Sequence, residues 1–217
     1  MNKRLIVSLT GFKGCGKDTV GRMLQELAEF ETVSFAAPLK QAVSVMFGWD
    51  RELLEGHTEQ SRSWREQPDS YWSEVFDRSI TPRLILQEFG TEVVRESMVD
   101  NFWIAAAKKT ILNSSKHVVI TDARFPNELS MIRSLGGTCV CIERGSQPWW
   151  YNRSKRVNSL PRAVKRAWLM CDSKLTSVHP SERDWIGYQF DHVVNNNGSK
   201  EQLFEQTQAL LHKIQQI

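Results

Sequence analysis

Leu5-Ile6-Val7-Ser8-Leu9-Thr10-Gly11-Phe12-Lys13-Gly14-Cys15-Gly16-Lys17-Asp18-Thr19 sets an apolar run, a glycine-rich turn and the start of a helical pattern in direct succession. A strand that ends in GxxxxGK and opens a helix is a phosphate-binding loop in its proper setting. Without side chains at Gly11, Gly14 and Gly16, the amides from Gly11 through Lys13 and Cys15 to Lys17 can curl around a phosphate, and the following helix points its positive end at the same anion. Lys17 adds a mobile cation for the phosphate in transit. The position after the lysine usually carries the Ser or Thr that holds Mg²⁺; here it is Asp18, with Thr19 one step later, so the metal contact is the open point of the loop.

Working outward, 217 residues suffice for one good core, and a single domain is expected. Hydrophobic content of 41% with 24% charged residues is that of a soluble globular chain, and no apolar run reaches the roughly 18 residues of a membrane span. Met1-Asn2-Lys3-Arg4 before an apolar run resembles a leader, but the run breaks at Thr10-Gly11 with no cleavage site. It reads as the first strand, with a cytoplasmic location expected. The four cysteines show no CxxC spacing, and neither zinc nor a disulfide framework is indicated. Cys139 and Cys141 alternate on a probable strand as small hydrophobes.

Net charge is only +3, too little to argue for nucleic acid by itself. Its distribution is more telling: Arg144, Arg153, Lys155, Arg156, Arg162, Lys165 and Arg166 share a segment with Trp149, Trp150 and Tyr151 and no acidic residue. Such a stretch could stack single-stranded nucleic acid, or close arginines as a lid over polyphosphate. The lid is favoured, because a phosphate loop needs such a cover.

Strand-like runs recur at Leu5 to Leu9, Thr32 to Phe35, His117 to Thr121, Thr138 to Ile142 and Asp191 to Val194, with helical patterns between them. Thr81-Pro82 starts one helix, which is expected to end at Gly90, and Ser199 caps the last. The alternation predicts an α/β fold: a three-layer α/β/α P-loop architecture with a five-stranded parallel sheet and ligands at the carboxyl ends of its strands. Two stretches interrupt it. Residues 48–80, dotted with Trp49, Trp64 and Trp72, read as an acceptor-side insertion, and residues 144–180 as the basic lid.

Asp122 ends the run Val118-Val119-Ile120-Thr121, where a carboxylate would hold Mg²⁺ or its water, and Arg124 leaves the same strand end as a phosphate fork. The two could instead brace each other across a turn. With Lys17 they form the expected catalytic set, with Asp18 and Asp122 as the metal ligands.

Further segments carry a family resemblance: Ser34-Phe35-Ala36-Ala37-Pro38-Leu39-Lys40, Leu86-Gln87-Glu88-Phe89-Gly90-Thr91-Glu92 with Arg95 and Trp103, Thr121-Asp122-Ala123-Arg124-Phe125-Pro126-Asn127-Glu128, and Val194-Asn195-Asn196-Asn197-Gly198-Ser199. Together and in this order they resemble the bacteriophage deoxynucleoside monophosphate kinases, which also carry GKDT in the loop. The match is weakest over residues 48–80 and 146–178. The resemblance implies transfer of the γ-phosphate of ATP, with Mg²⁺, to a deoxynucleoside 5′-monophosphate for phage DNA synthesis. It implies a small-molecule partner, with no stable nucleic-acid partner and no membrane, and leaves open whether the chain works alone or as a homodimer.

By the same resemblance, Lys40, Arg83, Gly90, Thr91, Trp103, Asp122, Arg124 and Glu128 fall on the acceptor side. Lys40 and Arg83 could bind the monophosphate dianion, Gln87 and Glu128 could read a base or sugar edge, and Trp103 could stack on the nucleoside or simply pack in the core. Arg95 either pairs with Glu92 on a helix or reaches phosphate. Arg144 from the lid and Asn196 after the last strand complete the ATP-binding set, although Asn195 to Gly198 also read as a plain turn. His179-Pro180-Ser181-Glu182 resembles a further family element, but an ionised acceptor phosphate needs no general base, and His179 stays outside the catalytic set. A kinase of another phosphorylated acceptor, of the phosphomevalonate or dephospho-coenzyme A type, and a nucleotide-dependent nucleic-acid-binding protein are the competing readings.

Overall fold

The computed structural model describes residues 4–96 and 101–216. The chain packs as two compact units, Met1–Ser34 with Ile111–Ile217, and Phe35–Thr110. In order, the elements are β1 (Ile6–Thr10), α1 (Lys17–Leu27) and β2 (Phe30–Val33); then α2 (Ala37–Phe47), α3 (Glu59–Glu66), α4 (Ser70–Val75), α5 (Pro82–Gln87), a π-helical stretch Glu88–Glu96 and α6 (Phe102–Asn113), which leads the chain back to the first unit. There follow β3 (His117–Ile120), α7 (Pro126–Ser134), β4 (Thr138–Glu143), α8 (Tyr151–Asn158), α9 (Arg162–Cys171), α10 (Ser173–Thr176), α11 (Pro180–Arg183), β5 (His192–Asn195) and α12 (Lys200–Gln215).

The first unit holds a five-stranded sheet in the order β2-β3-β1-β4-β5 with every pairing parallel, as the strand-helix alternation predicts. β1 is the central strand and every one of its residues is buried, so the loop that follows it leaves the middle of the sheet's carboxyl edge. Strand side chains alternate between faces, and both faces are covered. Val7, Leu9, Val140, Ile142 and Val194 share one core cluster with Val20, Met23 and Leu24 of α1 and Leu203, Leu210 and Leu211 of α12. The opposite parity holds Cys139, whose Sγ lies 3.6 Å from the carbonyl of Leu129 on α7. Burial pushes the thiols of Cys139 and Cys141 up, the latter to about 12, so both behave as small hydrophobes. β2 starts and stops two residues earlier than the apolar run Thr32 to Phe35 suggests, because its partner β3 ends at Ile120, opposite Val33.

The second unit has its own core of Leu39, Val43, Trp49, Leu54, Ile80, Ile85, Val94 and Trp103, with Trp64 and Trp72 packed against it. Residues 48–80 fall inside this unit, and their tryptophans fold it. Phe47 and Trp49 stack at 4.6 Å, Trp49 Nε1 donates to Asp69 (2.8 Å) and Trp72 Nε1 to the Phe47 carbonyl (3.0 Å). Thr81 caps α5 by accepting the Leu84 N–H at 3.1 Å, as its Thr-Pro start predicts. The expected stop at Gly90 does not occur. The helix widens into the π-helical stretch instead, and a Cβ at Gly90 would sit 2.7 Å from Leu39 Cδ2, so packing rather than a chain reversal calls for the glycine. Residues 144–180 fall in the first unit as α8 to α10.

Candidate active site

The phosphate loop is held by close contacts that exclude side chains at two of its glycines. Gly11 has φ +151° and a Cβ there would lie 2.3 Å from the Ile142 carbonyl; Gly16, φ +103°, would put one 2.4 Å from Asn196 Nδ2. Asn196 is buried and donates to the Cys15 carbonyl at 2.8 Å, so the loop after β5 ties down the loop after β1. Asn196 thus supports the phosphate loop directly, which the turn it was read from does not reveal. Gly14, φ +78°, faces open space.

Lys17 is the first residue of α1 and is buried, with Nζ donating to the carbonyls of Gly11 (3.0 Å) and Phe12 (2.9 Å). Burial and the neighbouring Arg124 guanidinium push its ammonium below the ordinary lysine value, against the opposite pull of Cys15, Asp18 and Glu182. Arg124 arrives from the strand end after β3 and donates through Nη1 to the same Gly11 carbonyl at 3.1 Å. Two cations of different origin therefore meet at one carbonyl of the phosphate loop. Asp122 accepts a hydrogen bond from Ser34 Oγ at 2.6 Å, joining the carboxyl ends of β2 and β3.

Glu128 takes part in the helix start beside it. It is buried, and its Oε2 accepts the backbone N–H groups of Arg124 (2.7 Å) and Phe125 (3.0 Å), capping α7 and fixing the Arg124 turn. Asp18 and Lys13 are exposed and Thr19 is half-buried. Thr19, Arg144 and Asn196, all expected on the ATP side, line one cavity of about 680 Å³ with Arg22, Glu26 and Phe204.

In the second unit, Lys40 Nζ pairs with Glu55 at 2.6 Å and Arg83 with Glu66 at 3.4 Å, partners that spacing does not announce. Trp103 is buried in that unit's core and donates Nε1 to the Gly90 carbonyl at 2.9 Å, the packing alternative that the sequence left open. Gln87 is exposed. Thr91 and Arg95 belong to the π-helical stretch, and their side chains lie outside the described residues.

Several participants escaped the sequence reading. Ser34 stood inside a quoted segment without a role. Phe12, a variable position of the loop motif, meets Trp150 (5.5 Å), Tyr151 (6.1 Å) and Trp185 (4.9 Å), which attaches the start of α8 to the loop. Glu182, of the His179-Pro180-Ser181-Glu182 element, lies 3.5 Å from Arg124 Nη1.

A protein of Acanthamoeba polyphaga mimivirus named a deoxynucleotide monophosphate kinase is 33% identical over 153 residues, 64% of this chain and 74% of that one. The chain belongs to the deoxynucleotide monophosphate kinase family. The deoxynucleoside-5′-monophosphate kinase of Escherichia phage T5 is a further relative, 26% identical over 179 residues, with 59% of this chain and 72% of that one covered. No protein-family profile matches. Among solved structures, shikimate kinase from Aquifex aeolicus aligns at 15% identity over 96% of this chain and 97% of that one, with a TM-score of 0.42. Dephospho-CoA kinase from Campylobacter jejuni gives 15%, 97% and 97%, also with a TM-score of 0.42. Superpositions this loose decide nothing about substrate.

Proposed function

We propose that this member of the family transfers the γ-phosphoryl group of ATP to a deoxynucleoside 5′-monophosphate, giving ADP and the diphosphate. The observation that carries the reading is the meeting of Lys17 Nζ and Arg124 Nη1 at the Gly11 carbonyl, 3.0 and 3.1 Å away, at the end of the central strand. Phosphoryl transfer asks little covalent chemistry of a protein; it asks for in-line positioning and for cations around the equatorial oxygens. In this reading Gly11 to Thr19 cradle the phosphates, and Lys17 leaves its loop carbonyls for the group in transit. Arg124, oriented through the Glu128 cap, supplies a planar fork.

The residues fit a hard divalent ion. Asp18, Thr19, Asp122 and the Ser34 hydroxyl bonded to Asp122 are all oxygen donors, and Mg²⁺ is commonly held by one or two carboxylates together with substrate phosphates. Asp18 and Asp122 would hold it, and when bound it would neutralise charge on the phosphates. Arg144 and Asn196, beside the cavity next to Thr19, are proposed for the rest of ATP.

Lys40, Arg83, Gln87, Gly90, Thr91 and Arg95 are proposed for the acceptor; Trp103, buried in the core of the second unit, and Glu128, which caps α7, are assigned no contact with it. The acceptor phosphate is already ionised at neutral pH, so no general base is assigned. A small nucleotide is the partner, the cytoplasm the place of work, and no stable nucleic-acid partner is involved. Among the described residues no helix is long and apolar enough to cross a membrane. Initial rates of ADP release with ATP and each dNMP and NMP test the proposal. Turnover that single-stranded DNA stimulates and no monophosphate does would overturn it.

A further inference from the structure

The His179-Pro180-Ser181-Glu182 element has no part in the chemistry above, yet the first unit builds it with care. His179 Nδ1 accepts the Ser181 N–H at 3.2 Å, and Pro180 opens α11. The next residue, Arg183, is buried and donates Nε to the Val178 carbonyl at 2.9 Å. Asn158, at the end of α8, clamps the turn from outside by donating Nδ2 to the carbonyls of Arg183 (2.7 Å) and Ile186 (2.9 Å). Trp185, three residues after Glu182, packs on Phe12 of the phosphate loop. The backbone on both sides of Glu182 is therefore fixed, and its carboxylate comes to rest 3.5 Å from Arg124 Nη1, the atom that also donates to the Gly11 carbonyl.

We propose that Glu182 is a positioning residue that acts through Arg124, holding its guanidinium at the mouth of the phosphate loop in the orientation the transferred phosphate needs. The inference rests on the phosphoryl-transfer reading of this site. A free arginine has many rotamers, and a carboxylate anchored on a clamped turn reduces them before substrate arrives.

The test uses the full chain with Glu182→Gln, Arg124→Ala and the double variant. Glu182→Gln is expected to lower kcat roughly tenfold while KM for ATP and dNMP stays within about twofold, because orientation rather than binding is lost. The double variant is expected to be no slower than Arg124→Ala alone. Independent of turnover, the Arg124 guanidinium, followed by NMR and assigned by its loss in Arg124→Ala, is expected to be more mobile in Glu182→Gln than in the wild type. Should Glu182→Gln fail to fold, Glu182→Asp keeps the charge on a shorter arm and is expected to lower kcat and to leave the Arg124 guanidinium more mobile than in the wild type. Losses that multiply in the double variant, or a wild-type kcat in Glu182→Gln or Glu182→Asp, overturn the proposal. If no dNMP is accepted at all, an Arg124 guanidinium as rigid in Glu182→Gln as in the wild type overturns it separately from the kinase reading.

Discussion

The phosphate loop and the second unit treat their lysines in opposite ways. Lys17 rests on backbone carbonyls of the loop that would receive the phosphate, Gly11 at 3.0 Å and Phe12 at 2.9 Å. Lys40 rests on a carboxylate, Glu55 at 2.6 Å. A carbonyl carries only a partial charge, so an arriving phosphate takes Lys17 at little cost. A phosphate that recruits Lys40 must displace a full negative charge. The donor lysine is thus ready before its ligand, and the proposed acceptor lysine is held by a counter-ion until its ligand arrives.

The strongest way to break this contrast is Lys17→Ala. Turnover is expected to fall roughly a thousandfold with dNMP affinity little changed, since the charge is used mainly as the phosphoryl group moves. ADP release at saturating substrate, with dNMP binding by calorimetry, checks both halves. Next comes the loop backbone. Gly11→Ala is expected to destabilise the chain by about 3 kcal/mol because its Cβ would strike the Ile142 carbonyl, whereas Gly14→Ala, in open space, costs about 1 kcal/mol from its left-handed φ alone. Equal denaturation midpoints for the two variants would show that the Gly11 contact is not built as described.

The carboxylate-held side predicts smaller, opposed effects. Lys40→Ala should raise KM for the accepted dNMP about tenfold, and Glu55→Gln should lower it about threefold by releasing Lys40 from competition. Changes in the same direction would make the pair structural only. Smallest is a pH effect. Burial raises the Glu55 carboxyl's proton affinity, but hydrogen bonds and charge from Lys40 and Arg51 outweigh it and hold the group below its ordinary value. A carboxylate depressed in the folded state contributes stability that is present above its unfolded pKa and lost as pH falls through the folded one. Wild type should therefore exceed Glu55→Gln by about 1 kcal/mol or less near neutrality, with the difference vanishing in acid. Urea unfolding of both proteins across that range measures it.

Much of the first unit could be read in advance because its signals are local. An apolar run, three glycines at fixed offsets and a lysine determine a strand, a turn with special backbone angles and a helix start, whatever surrounds them. Helix stops are less legible: Gly90 reads as one, yet a Leu39 methyl group, distant in sequence, is what makes the glycine necessary. Side-chain roles are less legible still. Glu128 has the chemistry to read a base, and only the fold shows its carboxylate capping α7. Trp103 could stack or pack, and burial against Gly90 shows that it packs.

By itself the sequence determined the parallel α/β fold and the phosphate loop, since periodicity and spacing act over a few neighbouring residues. Only the tertiary structure decided that Arg124 shares the Gly11 carbonyl with Lys17, that Asn196 braces the loop from across the sheet edge, and that Glu182 stands beside Arg124. These contacts join residues 58 to 181 positions apart, and strand order and register, not local pattern, bring them within hydrogen-bonding or ion-pairing range.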